Sequence, residues 1–287
     1  MKIKEFFDKN TWTLTYVVWS ESTRDAVIID PVLDYDSASS SYWTESATNV
    51  LDFVKSNELN VHLILDTHAD ADHLTGAQEL KKHLPKAKIA IGEDITQVQE
   101  AFKSFFNFGD EFQTDGSQFD LLLKENNEYE AGSLQFKVLH TPGHTPACSS
   151  YLFDDVVFTG DALFMPDFGV ARCDFPGGSA ETLFDSVHNK LYSLPDETRV
   201  FTGHDYQPGG RELKFQTTIA ESKKSNIHIK EGTSAEAFVK MRTERDKTLS
   251  APKLLLPSIQ VNVAAGRFPK AESNELSYLK LPLRKKG

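Results

Sequence analysis

The chain has 287 residues, with 31 Lys and Arg against 42 Asp and Glu, a formal net charge of −11. Hydrophobic residues make up 39 % and charged residues 25 %, the balance of a folded globular protein and not of a disordered, collagenous or coiled-coil chain. An acidic chain is also a poor match for nucleic acid, which is bound through a basic face that displaces counterions.

No apolar run approaches the roughly 20 residues of a membrane span. The first ten residues carry Glu5 and Asp8 where a secretion signal would be apolar, so a cytoplasmic location with no membrane partner is expected. Cys148 and Cys173 are too few for a disulfide framework or a Cys-rich zinc module.

In chain order, residues 11–19 and 25–30 are β-branched and aromatic runs around the polar Ser20-Glu21-Ser22-Thr23, which predicts a hairpin. Residues 31–42 read as a polar loop. Val50, Leu51, Phe53 and Val54 recur at helical spacing within 44–56, and residues 61–65 form a buried strand. A helix over 73–83 and a strand over 88–91 follow, then a helix-and-loop stretch. Strands are predicted at 134–139, 149–153 and 156–159, a helix at 180–191 and a strand at 199–202. Two helical candidates, 212–223 and 234–248, precede a Pro-punctuated tail ending in Arg284-Lys285-Lys286. Strands that repeatedly meet their own helices define an α/β class. The division expected is a core over 1–210 and a helical extension over 211–287 packed on the same domain.

Four of these strands run directly into residues that bind metals. Residues 61–65 lead into Asp66-Thr67-His68-Ala69-Asp70-Ala71-Asp72-His73, and 134–139 into His140-Thr141-Pro142-Gly143-His144. Residues 156–159 lead into Gly160-Asp161, and 200–202 into Gly203-His204-Asp205. Neighbouring strand ends gather their loops at one sheet edge, so ligands distant in sequence converge there. A single histidine at a strand end is usually hydrogen-bonded structure. His68, Asp72, His73, His144, Asp161 and His204 all repeat one placement, and together they point to a metal. Imidazole with carboxylate suits zinc, iron or manganese, and the lack of a Cys ligand points away from structural zinc. His62, His83, His188 and His228 fall in a strand, on helices or in a loop and read as structural, while His140 is left open.

Thr67-His68-Ala69-Asp70-Ala71-Asp72-His73 resembles the THxHxDH signature of the metallo-β-lactamase fold. The Thr-Pro-Gly-His, Gly-Asp and His-Asp-Tyr segments ending at His144, Asp161 and Tyr206 match its later motifs in order. The resemblance implies an αββα sandwich, two mixed β-sheets flanked by helices with the metal at one edge. Within that fold, residues 163–169, 171–178 and 204–211 are similar to the persulfide dioxygenase branch, a relative of glyoxalase II, and to its β-lactamase hydrolase-like bacterial members. The Pro257-Ser258-Ile259-Gln260 segment is also similar to that subgroup.

That likeness implies one Fe(II) per chain held by His68, His144 and Asp161, with zinc as the other candidate ion. Glutathione persulfide, or a related small persulfide, would be oxidised by O₂ to sulfite and thiol. Two His and one carboxylate leave room for both substrates, as in non-haem Fe(II) oxygenases. Asp70 stands where the signature has its second His, a departure that weakens a two-metal site. Asp70, Asp72, His73 and His204 would then orient the ligands as vestiges of a second site.

Tyr206 and Asp72 are the catalytic candidates, with Tyr206 equally readable as a packed aromatic. Arg172 and Arg211 are candidates for gripping a substrate carboxylate, or else surface salt bridges. Cys173, beside Arg172, is either a sulfur-handling thiolate or a small buried hydrophobe, and the second description also fits Cys148. A dinuclear zinc thioester hydrolase of the glyoxalase II type is the alternative activity, and a non-enzymatic persulfide- or metal-binding module the least favoured. A homo-oligomer, dimer or tetramer, is expected from the resemblance alone.

Overall fold

A computed structural model describes residues 1–283. The C-terminal basic triplet noted above lies outside the described residues. Strands β1 (Lys2–Asp8), β2 (Thr13–Trp19) and β3 (Asp25–Ile29) open the chain, followed by β4 (Val32–Asp36), β5 (Ser41–Trp43) and α1 (Glu45–Ser56). Next come β6 (Asn60–Leu65), β7 (Leu74–Thr75), α2 (Ala77–His83), β8 (Lys88–Gly92), α3 (Ile95–Phe106) and β9 (Leu121–Leu123). The second half holds β10 (Glu128–Ala131), β11 (Leu134–His140), β12 (Ser149–Phe153), β13 (Val156–Phe158) and α4 (Ala180–Asp185), the last prolonged by a π-helical turn, Ser186–Leu191. It closes with β14 (Arg199–Phe201), β15 (Gln216–Thr218), α5 (Ile219–Ser225), α6 (Ala235–Asp246) and α7 (Leu255–Asn262).

The first sheet has the order β1-β2-β3-β6-β8-β9 and the second β10-β11-β12-β13-β14-β15, with a small β5-β4-β7 sheet at the side. Both large sheets mix parallel and antiparallel pairs. Side-chain alternation explains how they stack, since successive strand residues point to opposite faces. Leu14, Tyr16 and Val18 of β2 join Phe136, Tyr151 and Phe158 of the second sheet in the layer between the sheets. Val17, with Ala26 and Ile28 of β3, faces the other way, onto Val50 and Val54 of α1 and Leu80 of α2. Val157 and Val200 on the outer face of the second sheet meet Leu183 of α4 and Phe238 of α6. Three apolar layers thus make the αββα sandwich.

Several elements differ from the sequence reading. Residues 31–42 are not a loop: Val32↔Thr75 and Leu33↔Leu74 pair β4 with β7, which also delays the start of α2 to Ala77. The helix expected over 212–223 starts only at Ile219, because Gln216–Thr218 pairs with β14 as an edge strand. The tail contains α7, whose Pro257 lies in the first helical turn, where a missing N–H costs nothing. β1, an edge strand of mixed charged and apolar residues that is nowhere fully buried, and β9 had no counterpart in the sequence reading.

The extension beyond residue 210 is anchored by a buried ion pair. Arg242 is 1 % exposed and its Nε donates to Asp246 Oδ1 at 2.8 Å. Asp246 Oδ2 in turn accepts from the backbone N–H of Cys173 at 2.8 Å. Removing one partner strands the other charge in a dry interior. Asp246→Ala is therefore expected to lower the unfolding free energy by roughly 3–5 kcal/mol, read from urea melts.

Candidate metal centre

The four strand ends meet at one edge of the sandwich. The loop after β6 carries His68, Asp70 and His73, the loop after β11 carries His144, the turn after β13 carries Asp161, and the turn after β14 carries His204. None of the six is more than 6 % exposed. They form two groups whose candidate ligand atoms lie within 4.8 Å of one another, His68–His144–Asp161 and Asp70–His73–His204.

Local backbone chemistry sets each side chain. Asp30 accepts from the Thr67 N–H at 2.7 Å and from its hydroxyl at 2.9 Å, which fixes the start of the first loop. Asn262 of α7 donates to the carbonyls of Asp70 and His73, both at 2.8 Å, and accepts from the Thr75 N–H at 2.8 Å. Gly143 has φ +134° and an added Cβ there would sit 2.4 Å from Leu183 Cα, so the turn delivering His144 has no room for a side chain. Gly160 has φ +49°, and a Cβ would lie 2.5 Å from Thr67 Oγ1.

In the first group His144 Nδ1 lies 2.6 Å from the Arg172 carbonyl. A carbonyl only accepts, so Nδ1 carries the proton; burial holds the ring below its usual pKa, and Nε2 keeps its lone pair, 3.8 Å from Asp161 Oδ2. His68 Nδ1 is 3.1 Å from Thr67 Oγ1, and its Nε2 is buried with no hydrogen-bond partner, 4.0 Å from Asp161 Oδ2. An orphaned buried nitrogen costs free energy unless something binds it. Two imidazole lone pairs and one carboxylate oxygen around it are a donor set that fits a divalent cation. Asp161 Oδ1 is occupied by His204 Nδ1 at 2.9 Å. Burial alone would raise the Asp161 carboxyl, but the His204 charge and hydrogen bond hold it low.

The second group closes on itself. Asp70 Oδ2 lies 3.5 Å from His68 Nε2, 3.4 Å from His73 Nδ1 and 3.7 Å from His204 Nε2. Those rings outweigh burial and keep Asp70 well below the usual carboxylate range. Against the desolvation that opposes it, the Asp161 and Asp70 charges push His204 up to about 10. Thr13 Oγ1 completes the cluster, 3.1 Å from His204 Nε2 and 3.4 Å from His73 Nδ1. Asp72 is turned aside: its Oδ2 accepts from Tyr206 at 2.8 Å, and burial followed by the Asp70 charge raises its carboxyl. Tyr206 stacks between His204 and Phe168, with centroids at 5.4 and 4.8 Å.

The substrate candidates are placed less simply. Arg172 and Arg211 are both engaged, Arg172 with Asp174 at 2.5 and 2.7 Å, Arg211 with Asp167 at 2.5 and 2.9 Å and with Asp205 at 2.7 Å. Cys173 is a buried thiol whose pKa burial pushes up. Arg172 gives its guanidinium to Asp174, so the cation that would favour a thiolate is spent elsewhere. Cys148 is likewise buried, and burial pushes its thiol up to about 12. His140 donates to the Pro146 carbonyl at 2.8 Å and faces Asp94 at 3.0 Å. Asn262 and Thr13 were missed by the sequence reading, since neither carries a metal-binding group nor lies in a strand-end motif.

The profile of the metallo-beta-lactamase superfamily matches residues 12–204. The chain belongs to that superfamily. Among relatives, it is 49 % identical over 283 residues to "Glyoxylase B2" of Dictyostelium discoideum, covering 98 % of this chain and 97 % of that one. It is 29 % identical over 266 residues to "Persulfide dioxygenase ETHE1, mitochondrial" of Bos taurus, covering 92 % and 88 %. The crystal structure of ETHE1 from Myxococcus xanthus superposes with a TM-score of 0.75 at 34 % identity, covering 93 % of this chain and all of that one. Among the described residues no helix is long and apolar enough to cross a membrane.

Gly143→Ala tests how closely the His144 turn is built. The positive φ and the Leu183 backbone predict a loss of at least about 2 kcal/mol in stability, together with a smaller thermal shift on adding divalent metal.

Proposed function

We propose that this chain is a mononuclear non-haem iron persulfide dioxygenase, with His68, His144 and Asp161 as ligands and glutathione persulfide or a related small persulfide as substrate. The observation that carries the reading is the unequal state of the two clusters. His68 Nε2 has no hydrogen-bond partner beside His144 and Asp161, whereas His73 and His204 each share a hydrogen bond with the Thr13 hydroxyl and face the Asp70 carboxylate at 3.4 and 3.7 Å. Iron in preference to zinc rests on the activity named for the Bos taurus relative, since a dioxygenase needs a redox-active ion and zinc has no redox chemistry.

Iron held by His68, His144 and Asp161 would supply open coordination positions and a redox-active centre for the reaction of a persulfide with O₂. The overall change is persulfide plus O₂ plus water to thiol, sulfite and two protons: the S–S bond breaks, the terminal sulfur is oxidised and O₂ is reduced. The chain's own residues prepare that event. The Arg172 carbonyl aims the His144 lone pair, and His204 orients Asp161 through Oδ1. Phe164, Phe168 and Val170 supply an apolar part of the cavity lining. Asp72, its carboxyl raised by burial and held by the Tyr206 hydroxyl, accepts the proton of the entering S–S–H group.

A second reading has its own observation. Asp70, His73 and His204 also lie within ligand distance of one another, and the relative of 49 % identity is named a glyoxylase, so a dinuclear zinc thioester hydrolase is the competing activity.

Metal content on anaerobically purified protein, with O₂ uptake on glutathione persulfide, separates the two. Near one iron per chain, with sulfite formed in step with O₂ consumed, is expected; two zinc ions and no O₂ uptake overturn the dioxygenase. His68→Ala is expected to lose both metal and O₂ uptake. Tyr206→Phe is expected to keep its iron and lower kcat about tenfold, the effect of removing a hydrogen bond to a charged group.

A further inference from the structure

The cavity in front of His144 and Asp161 has a volume of about 260 Å³. Its metal-ligand end carries the carboxylates of Asp70, Asp72 and Asp161, and the last turn of α6 lines it together with Leu249, Ser250 and Pro252. A thiol carrier entering sulfur-first must keep its own carboxylates away from that acidic end. Three arginines line the cavity, Arg172, Arg242 and Arg245. Arg172 is held by Asp174 and by the Ser250 carbonyl at 2.7 Å, and Arg242 by Asp246 and by the Val170 carbonyl at 3.3 Å. The Arg245 guanidinium makes no hydrogen bond or ion pair among the described residues.

An exposed arginine is by itself ordinary, but this one is fixed in register with the metal ligands. It lies between Arg242 and Asp246, whose buried pair locks that turn of α6. Asp246 holds the Cys173 N–H, and the carbonyl of the preceding residue, Arg172, holds His144. Two residue-to-residue links therefore join the turn bearing Arg245 to a ligand ring. His228 lines the same cavity, with Nδ1 accepting the Val170 N–H at 3.3 Å, so its proton sits on Nε2. Burial, with the nearby Arg242 and Arg245 charges, pushes His228 down to about 4 and keeps it a neutral donor.

We infer that Arg245 is the carboxylate anchor of the substrate site, selecting an anionic thiol carrier, with His228 Nε2 as the neutral donor beside it. A guanidinium grips a carboxylate through two parallel hydrogen bonds, which fixes the carrier's orientation as well as its charge. The assignment to Arg245 differs from the sequence expectation of Arg172 and Arg211, whose guanidinium groups already bracket loops of this chain. It rests on the persulfide reading for the thiol end of the ligand.

Calorimetry on the metal-loaded full chain tests it, with glutathione and its diethyl ester as probes. Wild type is expected to prefer the acid about tenfold, the scale of a hydrogen-bonded charge. Arg245→Ala is expected to abolish that preference by weakening the acid alone, and Arg245→Lys to restore part of it. In turnover, Arg245→Ala should raise KM for glutathione persulfide by a similar factor while iron content stays the same. A wild-type protein that does not distinguish acid from ester, or an Arg245→Ala variant that keeps the preference or loses both ligands equally, overturns the inference. Thiol binding needs no O₂ chemistry, so a lack of O₂ uptake with the acid preference intact would reject the dioxygenase and leave the anchor standing.

Discussion

Six ionisable side chains packed at one sheet edge, none more than 6 % exposed, impose the constraint on which the rest of this structure depends. Each charge brought out of water costs several kcal/mol unless it is paired or hydrogen-bonded. The sandwich meets the constraint by giving almost every polar atom a fixed partner. Asp161 is divided between His204 on one oxygen and the His68–His144 pair on the other. Asp70 sits among three rings. Within this cluster the buried His68 Nε2 is left with no hydrogen-bond partner, facing the other candidate ligands of the first group.

Fixed partners require rigid loops, and these are stapled from distant parts of the chain. Asp30 at the end of β3 holds Thr67 by backbone and side chain. Asn262, some 190 residues further on, binds two carbonyls of the His68–His73 loop through one amide, with separations of 192 and 189 residues. The Arg242–Asp246 pair in α6 reaches the loop behind His144 through Cys173. The C-terminal third is thereby part of the support for the metal centre.

The strands of the sandwich and the ligand-bearing loops were legible in the sequence because both depend on local patterns. Tyr16 and Val17, or Val27 and Ile28, alternate between layers, and a buried strand needs apolar residues at both phases. Every ligand follows a strand directly. Elements at the margins were harder to read. β1 and β15 are only partly buried, so charged and polar residues satisfy them, and the prolines before and within α7 mask a helix that tolerates Pro257 in its first turn. Side-chain pairing was not legible at all. Arg211 meets Asp167 across 44 residues and Arg242 meets Asp246 across four, and only the folded chain shows that Arg245, one position from Asp246, is left uncommitted.

Asp70 is the residue at which sequence and structure bear on the same chemical question. A histidine there would present a neutral nitrogen to a cation at the inner site. The carboxylate instead turns one oxygen toward His68, His73 and His204, within ion-pair distance of all three rings. A second dication would have to displace those contacts and the Thr13 hydroxyl, while the Tyr206 hydroxyl holds Asp72 away from it. In the first cluster the Nδ1 atoms of His68 and His144 are tied to Thr67 and Arg172, which leaves both Nε2 atoms facing Asp161, with the Asp70 carboxylate 3.5 Å from that of His68. Asp70 thus puts a negative charge among the rings of the inner cluster, while the His68, His144 and Asp161 side chains of the neighbouring group are all retained.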